Sequence, residues 1–380
     1  MKITFVTRWG VQCGIATYTD QLTLSLLGQK HKVSCAAEKL IGIREIPVQS
    51  TIPMSRVWDG RKGDLDGIFD YLKKQRPDVV HFQHEFGLMD TPAQLMGIVH
   101  KISALNIPVF FTCHTVMTPP SDKAWMFREL LGKVSGVVAH NDDTRRALRR
   151  WNLAAKKIRV IPHGTPEGCS LGERLESRKK VFLPEDPNTV IAISLGFISP
   201  GKMQHEAVDA ILFLVKEGLL DPAKFLYIIA GSPGQGDEQN MEYCRELHRK
   251  VEAARAWNFI RIYPTFVPRD QLEHWYGAAD FVITGSHPTF YSVSGRSHQE
   301  MAYGMASISS RSHLLSDLNE ERSLKYDSVV QLRSHILAMV RDPNLRHLMS
   351  RRCKQFAEDT SWTNVAKAHV DFYKSVLKKG

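Results

Sequence analysis

Short apolar segments alternate with amphipathic segments along the whole chain, and this alternation constrains the fold more than any other feature. Strands that alternate with helices indicate a parallel sheet with right-handed crossovers. In the first half we predict strands at Ile3–Thr7, Val33–Ala36, Val79–Gln83, Val109–Thr112, Gly136–His140 and Ile158–Ile161. The predicted helices between them start near Ile15 or cover Leu65–Gln75, Ala93–Leu105, Phe127–Val134 and Asp142–Trp151.

The same rhythm resumes after Thr165–Asp186, a segment without period that is rich in Gly, Glu, Arg and Lys. Predicted strands follow at Thr189–Leu195, Phe225–Ala230, Ile260–Tyr263, Asp280–Thr284 and Ala306–Ser310. Predicted helices cover Glu206–Glu217, Met241–Ala256, Gln271–Ala278, a segment from about Arg296, Ser328–Val340, Pro343–Phe356 and about Thr363–Lys378. Since a domain has roughly 150 residues, we predict two α/β domains, 1–165 and 189–360, a linker at 166–188 and a terminal helix at 361–380 that crosses back to the first domain.

Polar residues follow several of the predicted strands. Ligands of parallel sheets bind beyond the carboxyl ends of the strands, and His84, Glu85, His114 and His163 all fall there. These four side chains are therefore candidate binding residues.

The segment from Thr284 to Ser312 joins a strand, a turn with Ser294 and Gly295, a helix that carries Glu300, and a further strand. Small residues before a helix let backbone N–H groups approach an anion, which the helix start also favours. A carboxylate early in the helix can accept hydrogen bonds from hydroxyl groups. The arrangement suits a phosphate-linked, hydroxyl-bearing ligand such as a nucleotide sugar, and an ordinary βαβ unit with a polar loop is the alternative.

The chain has a formal net charge of +10 and a pI near 9.2, which favours an anionic partner. Phosphates, an acidic lipid surface and nucleic acid all remain open. Much of the charge is local, and a solvated helix face is the simplest interpretation of that cluster: Arg145, Arg146, Arg149, Arg150, Lys156, Lys157 and Arg159.

The six cysteines form no C-x-x-C pair, which is typical of a reducing compartment. The start MKITFVTRWG is too short for a signal peptide, and no apolar run reaches the roughly 18–20 residues of a membrane span. We therefore expect a cytoplasmic protein, with peripheral association at the inner membrane face left open.

An ordered set of motifs resembles the family-4 retaining glycosyltransferases, which have the GT-B fold of two Rossmann-like domains whose parallel sheets face across a cleft. The set covers essentially the whole chain in the family's order, and it includes Val267 in Phe266–Pro268 and a terminal helix after Trp362. Its main motifs are CGIATY at Cys13–Tyr18, QHEFG at Gln83–Gly87, TCHT at Thr112–Thr115, IPHG at Ile161–Gly164, LGFISPGK at Leu195–Lys202 and EMAYG at Glu300–Gly304.

The resemblance implies a nucleotide-sugar donor held by the C-terminal domain and an acceptor held by the N-terminal domain. It implies that Lys202 pairs with the donor diphosphate and that Glu300 binds the ribose, while His114 lies against the transferred sugar. Gly14, Ser294 and Gly295 would add backbone contacts to the diphosphate, and Val267 belongs to the same donor site. His84, Glu85, His163 and Ser292 would contact substrate. The family's reaction occurs on one face of the sugar and needs no pair of carboxylates of the glycosidase kind.

Two positions depart from the family's pattern. Ser292 stands where the first Glu of the usual E-x7-E motif is expected, so the sugar cannot be inferred. Phe197 stands where an arginine is usual, which leaves Lys202 without its customary cationic partner. We interpret both as traits of a subfamily.

Three functions stay open: a glycosyltransferase, the same enzyme with a nucleic-acid acceptor that uses the basic surface, and a nucleotide-sugar-binding protein that has lost catalysis. The donor would be a UDP- or GDP-sugar used as co-substrate, with no other cofactor. The acceptor would be a glycan, a lipid-linked or small molecule, or nucleic acid. No metal is expected, because Asp64, Asp66 and Asp142–Asp143 fall at predicted helix starts, where capping explains them.

Overall fold

The structure is a computed structural model that describes residues 1–60, 62–86, 88–89, 91–116, 122–234, 237–287 and 292–378, with only the backbone of residues 122–124. Gly87 of the QHEFG motif and residues 288–291 of the central segment lie outside the described residues. The described residues form two compact units. Unit 1 comprises those of Met1–Gly164, Phe290–Gly295 and Thr360–Gly380, and unit 2 those of Thr165–Thr289 and Arg296–Asp359.

Unit 1 is built on a seven-stranded parallel sheet with the order β3-β2-β1-β4-β5-β6-β7. Its strands are β1 Lys2–Thr7, β2 Lys32–Glu38, β3 Met54–Trp58, β4 Val79–His84, β5 Val109–Cys113, β6 Gly136–Ala139 and β7 Ile158–Val160. Its helices are α1 Gly14–Gly28, α2 Asp66–Gln75, α3 Pro92–Ser103, α4 Asp122–Lys133, α5 Asp142–Arg150 and α13 Trp362–Leu377. A 3₁₀ turn at Ala155–Lys157 precedes β7.

Unit 2 is built on a six-stranded parallel sheet with the order β10-β9-β8-β11-β12-β13. Its strands are β8 Val190–Leu195, β9 Phe225–Ala230, β10 Ile260–Tyr263, β11 Phe281–Thr284, β12 Ser307–Ser310 and β13 Ser323–Tyr326. The remaining helices are α6 Arg174–Lys180, α7 Gln204–Lys216, α8 Glu238–Ala253, α9 Leu272–Ala278, α10 Gly295–Ala302, α11 Val329–Arg341 and α12 Pro343–Asp359. Short 3₁₀ turns lie at Pro200–Lys202, Arg269–Gln271 and His313–Leu315.

The predicted α/β class with two parallel sheets is confirmed, and the sequence prediction omitted three elements. Strand β3 (MSRVW) at the edge of its sheet mixes polar and apolar residues without alternation, and most of it is only partly buried. Strand β13 (SLKY) lacks the apolar run that marks the inner strands. Helix α6 (RLESRKK) lies in the predicted linker and has almost no apolar residues. Edge strands and charged helices leave weak hydrophobic patterns.

The C-terminal helix α13 packs into the core of unit 1. Trp362, Val365 and Tyr373 share one buried cluster with Phe5 of β1 and Tyr18 of α1. A Cβ atom built on Gly164 would lie 2.1 Å from the Trp362 ring, so glycine is required there for the ring to pack. The last helix is therefore part of the first unit's core.

Helix α6 is held by a buried arginine rather than by apolar residues. The guanidinium of Arg178 is fully buried and donates hydrogen bonds to the carbonyl oxygens of Ala278 (3.1 Å) and Thr189 (2.8 Å). It also pairs with the buried carboxylate of Asp280 at 3.2 Å. A buried charge needs such a complete set of partners, which explains how a charged segment folds against the sheet.

All six cysteines are free thiols. Within the described residues, no helix is long and apolar enough to cross a membrane.

We expect Arg178→Met to lower the free energy of unfolding by about 3 kcal/mol, because it leaves Asp280 and three carbonyl groups without their buried donor. Arg174→Met is the matched control. Arg174 pairs with the same carboxylate at 3.0 Å but is half exposed, so its loss should stay below about 1 kcal/mol. Urea denaturation measures both, and equal losses would contradict the role given to Arg178.

Candidate active site

The predicted binding residues of unit 1 follow the carboxyl ends of its central strands. His84 and Glu85 end or follow β4, His114 follows β5, and His163 follows β7. His140, which follows β6, completes the series and was not among the predicted residues. The parallel register aligns His84 with Cys113 on the neighbouring strand, so these residues lie along one end of the sheet.

His114 is buried, and each polar group of this residue has a partner within unit 1. Its Nε2 lies 2.9 Å from the Gln83 side-chain amide, and its Nδ1 lies 3.4 Å from Nε2 of His140. Burial lowers the pKa of His114 well below its ordinary value, and the neighbouring ring of His140 lowers it further. A neutral imidazole in a fixed orientation results.

The contact with Gln83 also indicates the tautomer of the neutral His114 ring. The Gln83 atom beside Nε2 of His114 is Oε1, which can only accept, so Nε2 carries the ring proton and donates it to Gln83.

The backbone carbonyl of His114 is held by Ser292. Both the amide (2.9 Å) and the hydroxyl (3.1 Å) of Ser292 donate to it. The carbonyl of Ser292 in turn accepts a hydrogen bond from Nδ2 of Asn141 at 2.5 Å. Ser292 thus fastens its segment to the ends of β5 and β6, and its hydroxyl is used inside the protein rather than presented as a free polar group.

An aromatic cluster surrounds the His114 ring. Tyr18 of α1 makes edge-on contacts with His114, His140 and His163, with ring centroids 5.1–5.2 Å apart. His163 is partly buried, and a Cβ atom built on Gly295 would lie 3.3 Å from its Nε2. A side chain at position 295 would therefore press on His163.

The N-terminus of α1 is open. Gly14 is exposed, a Cβ atom built on it would meet no atom within 4 Å, and Cys13 makes no side-chain cap. Of the residues expected to offer backbone contacts to the diphosphate, Gly14 can therefore be approached freely, whereas Ser294 is buried.

His84 was a candidate binding residue because it follows a strand, but it does not lie at an open edge. Its ring is fully buried and stacks on Phe127 at 4.1 Å, and burial lowers its pKa to about 3. His81 is also fully buried, with Nε2 2.8 Å from the Thr112 hydroxyl. Glu85 is partly buried, and its backbone carbonyl accepts two turn hydrogen bonds.

The charged groups of the candidate site lie in unit 2. Lys202 ends the turn after β8, and Glu300 lies on α10 with its Oε2 accepting a hydrogen bond from the Thr284 hydroxyl at 3.0 Å. Glu300 is 2% exposed, and burial raises its pKa to about 7. Arg296 opposes this rise, followed by Thr284 and Lys202. The carboxylate thus lies within electrostatic range of two cations.

The loop after β8 packs tightly against its neighbour. Gly196 (φ +118°) and Gly231 (φ +153°) both have positive φ, and a Cβ atom built on Gly231 would lie 1.6 Å from the carbonyl oxygen of Gly196. Only glycine permits this approach. The amide of His287 also donates to Gly201 at 3.0 Å, which holds the Lys202 turn against the end of β11.

Val267 follows β10 and packs against a core cluster of unit 2, beside the exposed ring of Phe266. Gln235 and Gly236 of the glycine-rich loop after β9 lie outside the described residues.

The basic cluster is largely engaged within the chain. Arg145 pairs with Asp142 at 2.9 Å, and Arg146 pairs with Asp143. Lys157 donates to the carbonyl of Val134 at 3.0 Å, and Arg159 lies over the Phe372 ring. Exposed positions without such a partner in the described structure are Arg149, Arg150 and Lys156.

Capping by the aspartates themselves explains neither acidic pair. Asn141 caps α5 by accepting from the amide of Thr144, and Asp142–Asp143 occupy the first turn. At α2 the cap residue is Leu65, and Asp64 and Asp66 instead pair with lysines at the surface, so that capping prediction was wrong. Among the described side chains, no group of three or more His, Cys, Asp or Glu residues could hold a metal ion.

Comparison with known proteins places this geometry in a family context. Residues 13–167 match the model of Glycosyltransferase Family 4. The matched segment covers less than half of the chain. This segment contains Gly14, His84, Glu85, His114 and His163, and the resemblance predicted from the motifs is thereby confirmed. The comparison with curated protein sequences returned no match.

Solved glycosyltransferase structures share the fold over the full length of the chain. HepE of Anabaena, solved with UDP, has a TM-score of 0.78 at 16% identity, with 99% of this chain and 100% of HepE covered. HepE with UDP-glucose gives a TM-score of 0.72 at 16% identity, with 100% of each chain covered. WaaG, a glycosyltransferase involved in lipopolysaccharide biosynthesis, gives 0.67 at 11% identity, with 98% of this chain and 99% of WaaG covered. The fold of the chain is therefore GT-B, as the motifs predicted.

The sequence analysis missed several residues that contact the candidate site residues. Gln83 and His140 hold the His114 ring, and Asn141 holds Ser292. Arg296 had a signal, because it lies four residues before Glu300 and such residues share one face of a helix. Nothing in the local sequence links Gln83 or Asn141 to its partner.

We expect Glu300→Gln to change how stability depends on pH. Burial raises the pKa of Glu300 from 4.5 to about 7, so the folded state binds a proton that the unfolded state has released. Wild-type stability should therefore fall as pH rises from about 4.5 to 7, by up to about 3 kcal/mol, and the variant should lack this fall. Thermal unfolding at pH 5 and pH 8 without ligand measures it.

The matched control is Glu246→Gln, which makes the same change at an exposed position of α8. Its difference from wild type should be the same at both pH values. A Glu300→Gln difference that is also constant with pH would contradict the raised pKa.

Proposed function

We propose that this protein is a retaining glycosyltransferase that moves a sugar from a nucleotide-sugar donor, a UDP- or GDP-sugar, to an acceptor hydroxyl. The observation that carries the proposal is the buried Glu300 beside Lys202 and Arg296 at the carboxyl ends of the strands of unit 2. Cations of this kind suit a diphosphate, and a carboxylate beside them suits the hydroxyl groups of a ribose.

In this proposal unit 2 binds the donor. Lys202 places a positive charge at the diphosphate, where negative charge grows as the leaving group departs. Glu300 accepts hydrogen bonds from the ribose, and Val267 contributes to the same donor site. Binding of the nucleotide would draw on a carboxylate whose pKa is near neutrality, so donor affinity depends on its ionised form.

Unit 1 supplies the residues at the reacting sugar and the acceptor. His114 is neutral and orientationally fixed, so it acts as a positioning dipole against the sugar and not as a titrating acid or base. Gly14, Ser294 and Gly295 offer backbone groups to phosphate, and Glu85 and His163 offer polar atoms to substrate. The buried ring of His84 and the internally bonded hydroxyl of Ser292 support these residues from behind.

The comparisons suggest which donor base and sugar to test first. HepE, which shares the fold, was solved with UDP and with UDP-glucose. UDP-glucose is therefore the donor to test first, ahead of GDP-sugars. No cofactor or metal is part of the proposed reaction. The free thiols agree with the cytoplasmic location that we propose for the protein.

Two alternatives have specific motivations. Ser292 and Phe197 motivate a nucleotide-sugar-binding protein without turnover. The basic cluster motivates a nucleic-acid acceptor or an anionic membrane surface, yet much of its charge is paired within the chain. The acceptor we favour is consequently a glycan, a lipid-linked or a small molecule.

The test is a thermal-shift screen with UDP-, GDP-, ADP- and dTDP-sugars, followed by release of nucleotide from the stabilising donor. We expect one donor to stabilise the protein more than its free nucleotide does, and slow release of nucleotide even without acceptor. Stabilisation without any release over hours, with candidate acceptors present, would support the non-catalytic alternative. No stabilisation by any donor would oppose the proposal.

Variants separate binding from turnover. Lys202→Ala and Glu300→Ala should each weaken donor binding by about 10- to 100-fold, since each removes a charged hydrogen-bonding partner. His114→Ala should leave donor binding within a few-fold of wild type and lower turnover by about 100-fold. Unchanged binding and turnover in all three variants would show that the site lies elsewhere.

A further inference from the structure

Position 197 offers no charge to a phosphate. The family's pattern has an arginine there, and in this chain the residue is Phe197, whose ring is 51% exposed. A diphosphate carries two negative charges or more, so a single lysine leaves it incompletely neutralised. The question is whether another cation reaches the loop after β8.

Arg296, in the first turn of α10, reaches that loop. A Cβ atom built on Gly196 would lie 3.4 Å from Nε of Arg296 and 3.6 Å from its Nη2. The guanidinium therefore lies against the residue that immediately precedes Phe197. It is also within electrostatic range of Lys202. Burial lowers the pKa of Lys202 most, Glu300 raises it, and Arg296 lowers it further.

The guanidinium of Arg296 has few partners inside the protein. Its one hydrogen bond in the described structure is a long one, from Nη1 to the hydroxyl of Tyr276 at 3.4 Å. In that part of the chain it has no carboxylate within ion-pair distance. Arg178, by contrast, satisfies its buried guanidinium with three carbonyls and a carboxylate.

A partly buried arginine with unused donors is costly unless an anion completes it. Its planar donors match two phosphate oxygens at once, as a lysine cannot. The Tyr276 hydroxyl holds the side chain towards the Gly196 loop. The donors of Arg296 beside the Gly196 loop thus suit a phosphate group.

We propose that Arg296 is the second phosphate-binding cation of the donor site and replaces the arginine that the family has at position 197. The inference rests on the proposed function. The positive charge that the family places on the loop after β8 is then supplied to the same loop by helix α10. Phe197 is then free to serve as an apolar surface.

Its placement on α10 also couples the diphosphate to the ribose. Arg296 and Glu300 are four residues apart on one helix face, so one rigid element carries both groups. Glu300 raises the pKa of Arg296 against the effect of burial, and Arg296 opposes the raised pKa of Glu300. An anion on Arg296 would thus act on Glu300 as well.

The test compares UDP with uridine as probes in calorimetric titrations, because only UDP carries phosphates. We expect Arg296→Met to weaken UDP binding by about 10- to 100-fold and uridine binding by less than about 3-fold. Arg296→Lys should keep part of the affinity for UDP. Arg351→Met, the same change at an exposed position of α12, is the matched control and should change neither.

The decisive variant is the double substitution Phe197→Arg with Arg296→Met, which returns the cation to its family position. The double variant should bind UDP at least 5-fold more tightly than Arg296→Met does. If Arg296→Met binds UDP as wild type does, or weakens uridine equally, the inference is wrong. If wild type binds neither UDP- nor GDP-sugars, the proposed function fails instead, so the two failures are distinguishable.

Misfolding of a variant would be visible as a lowered unfolding temperature without ligand. Recovery of UDP affinity in the double variant cannot arise from misfolding. A double variant that folds with a wild-type unfolding temperature but recovers no affinity would overturn the exchange of positions.

Discussion

The burial of Glu300 among cations is the constraint on which the candidate site depends. The Glu300 carboxylate is 2% exposed, and burial raises its pKa to about 7. The fold tolerates this burial because Thr284 donates a hydrogen bond to the carboxylate and two cations lie near it. Burial of charge costs stability unless partners compensate. Helix α10, the end of β11 and the turn after β8 must therefore meet at one place, and the tight approach of Gly196 and Gly231 holds that turn in position.

Unit 1 differs from unit 2, because aromatic rings rather than charged groups follow the ends of its central strands. His114, His140 and Tyr18 pack with fixed hydrogen bonds, and burial lowers the pKa of His114. The two units therefore differ in kind: unit 2 offers charges suited to phosphates, whereas unit 1 offers oriented dipoles. Such a division agrees with a reaction in which charge changes mainly on the leaving group and the sugar must be held in one orientation.

The sequence predicted the features that local patterns encode. Apolar runs predicted the inner strands. The end of a predicted strand pointed to His114, and the strand, turn and helix that follow one another from Thr284 pointed to Glu300. It could not predict α6, which is held by the buried Arg178 instead of an apolar face, nor edge strand β3. The bond from Ser292 to the carbonyl of His114 joins residues 178 apart in the chain, so only the folded structure brings them together. His84 was misplaced because a histidine at a strand end can serve as an aromatic core residue.

The departures from the family pattern at positions 197 and 292 have related physical meanings. Ser292 replaces a carboxylate with a short hydroxyl that fastens the backbone of His114, so one negative charge is absent from the site. Phe197 removes a positive charge from the loop after β8, while Arg296 brings one from α10 to the same loop. The balance of charge near a bound diphosphate then depends on Lys202, Arg296 and Glu300, all within unit 2. The charged groups proposed to bind the donor therefore all belong to one unit, whereas unit 1 contributes backbone groups and histidines to the proposed site.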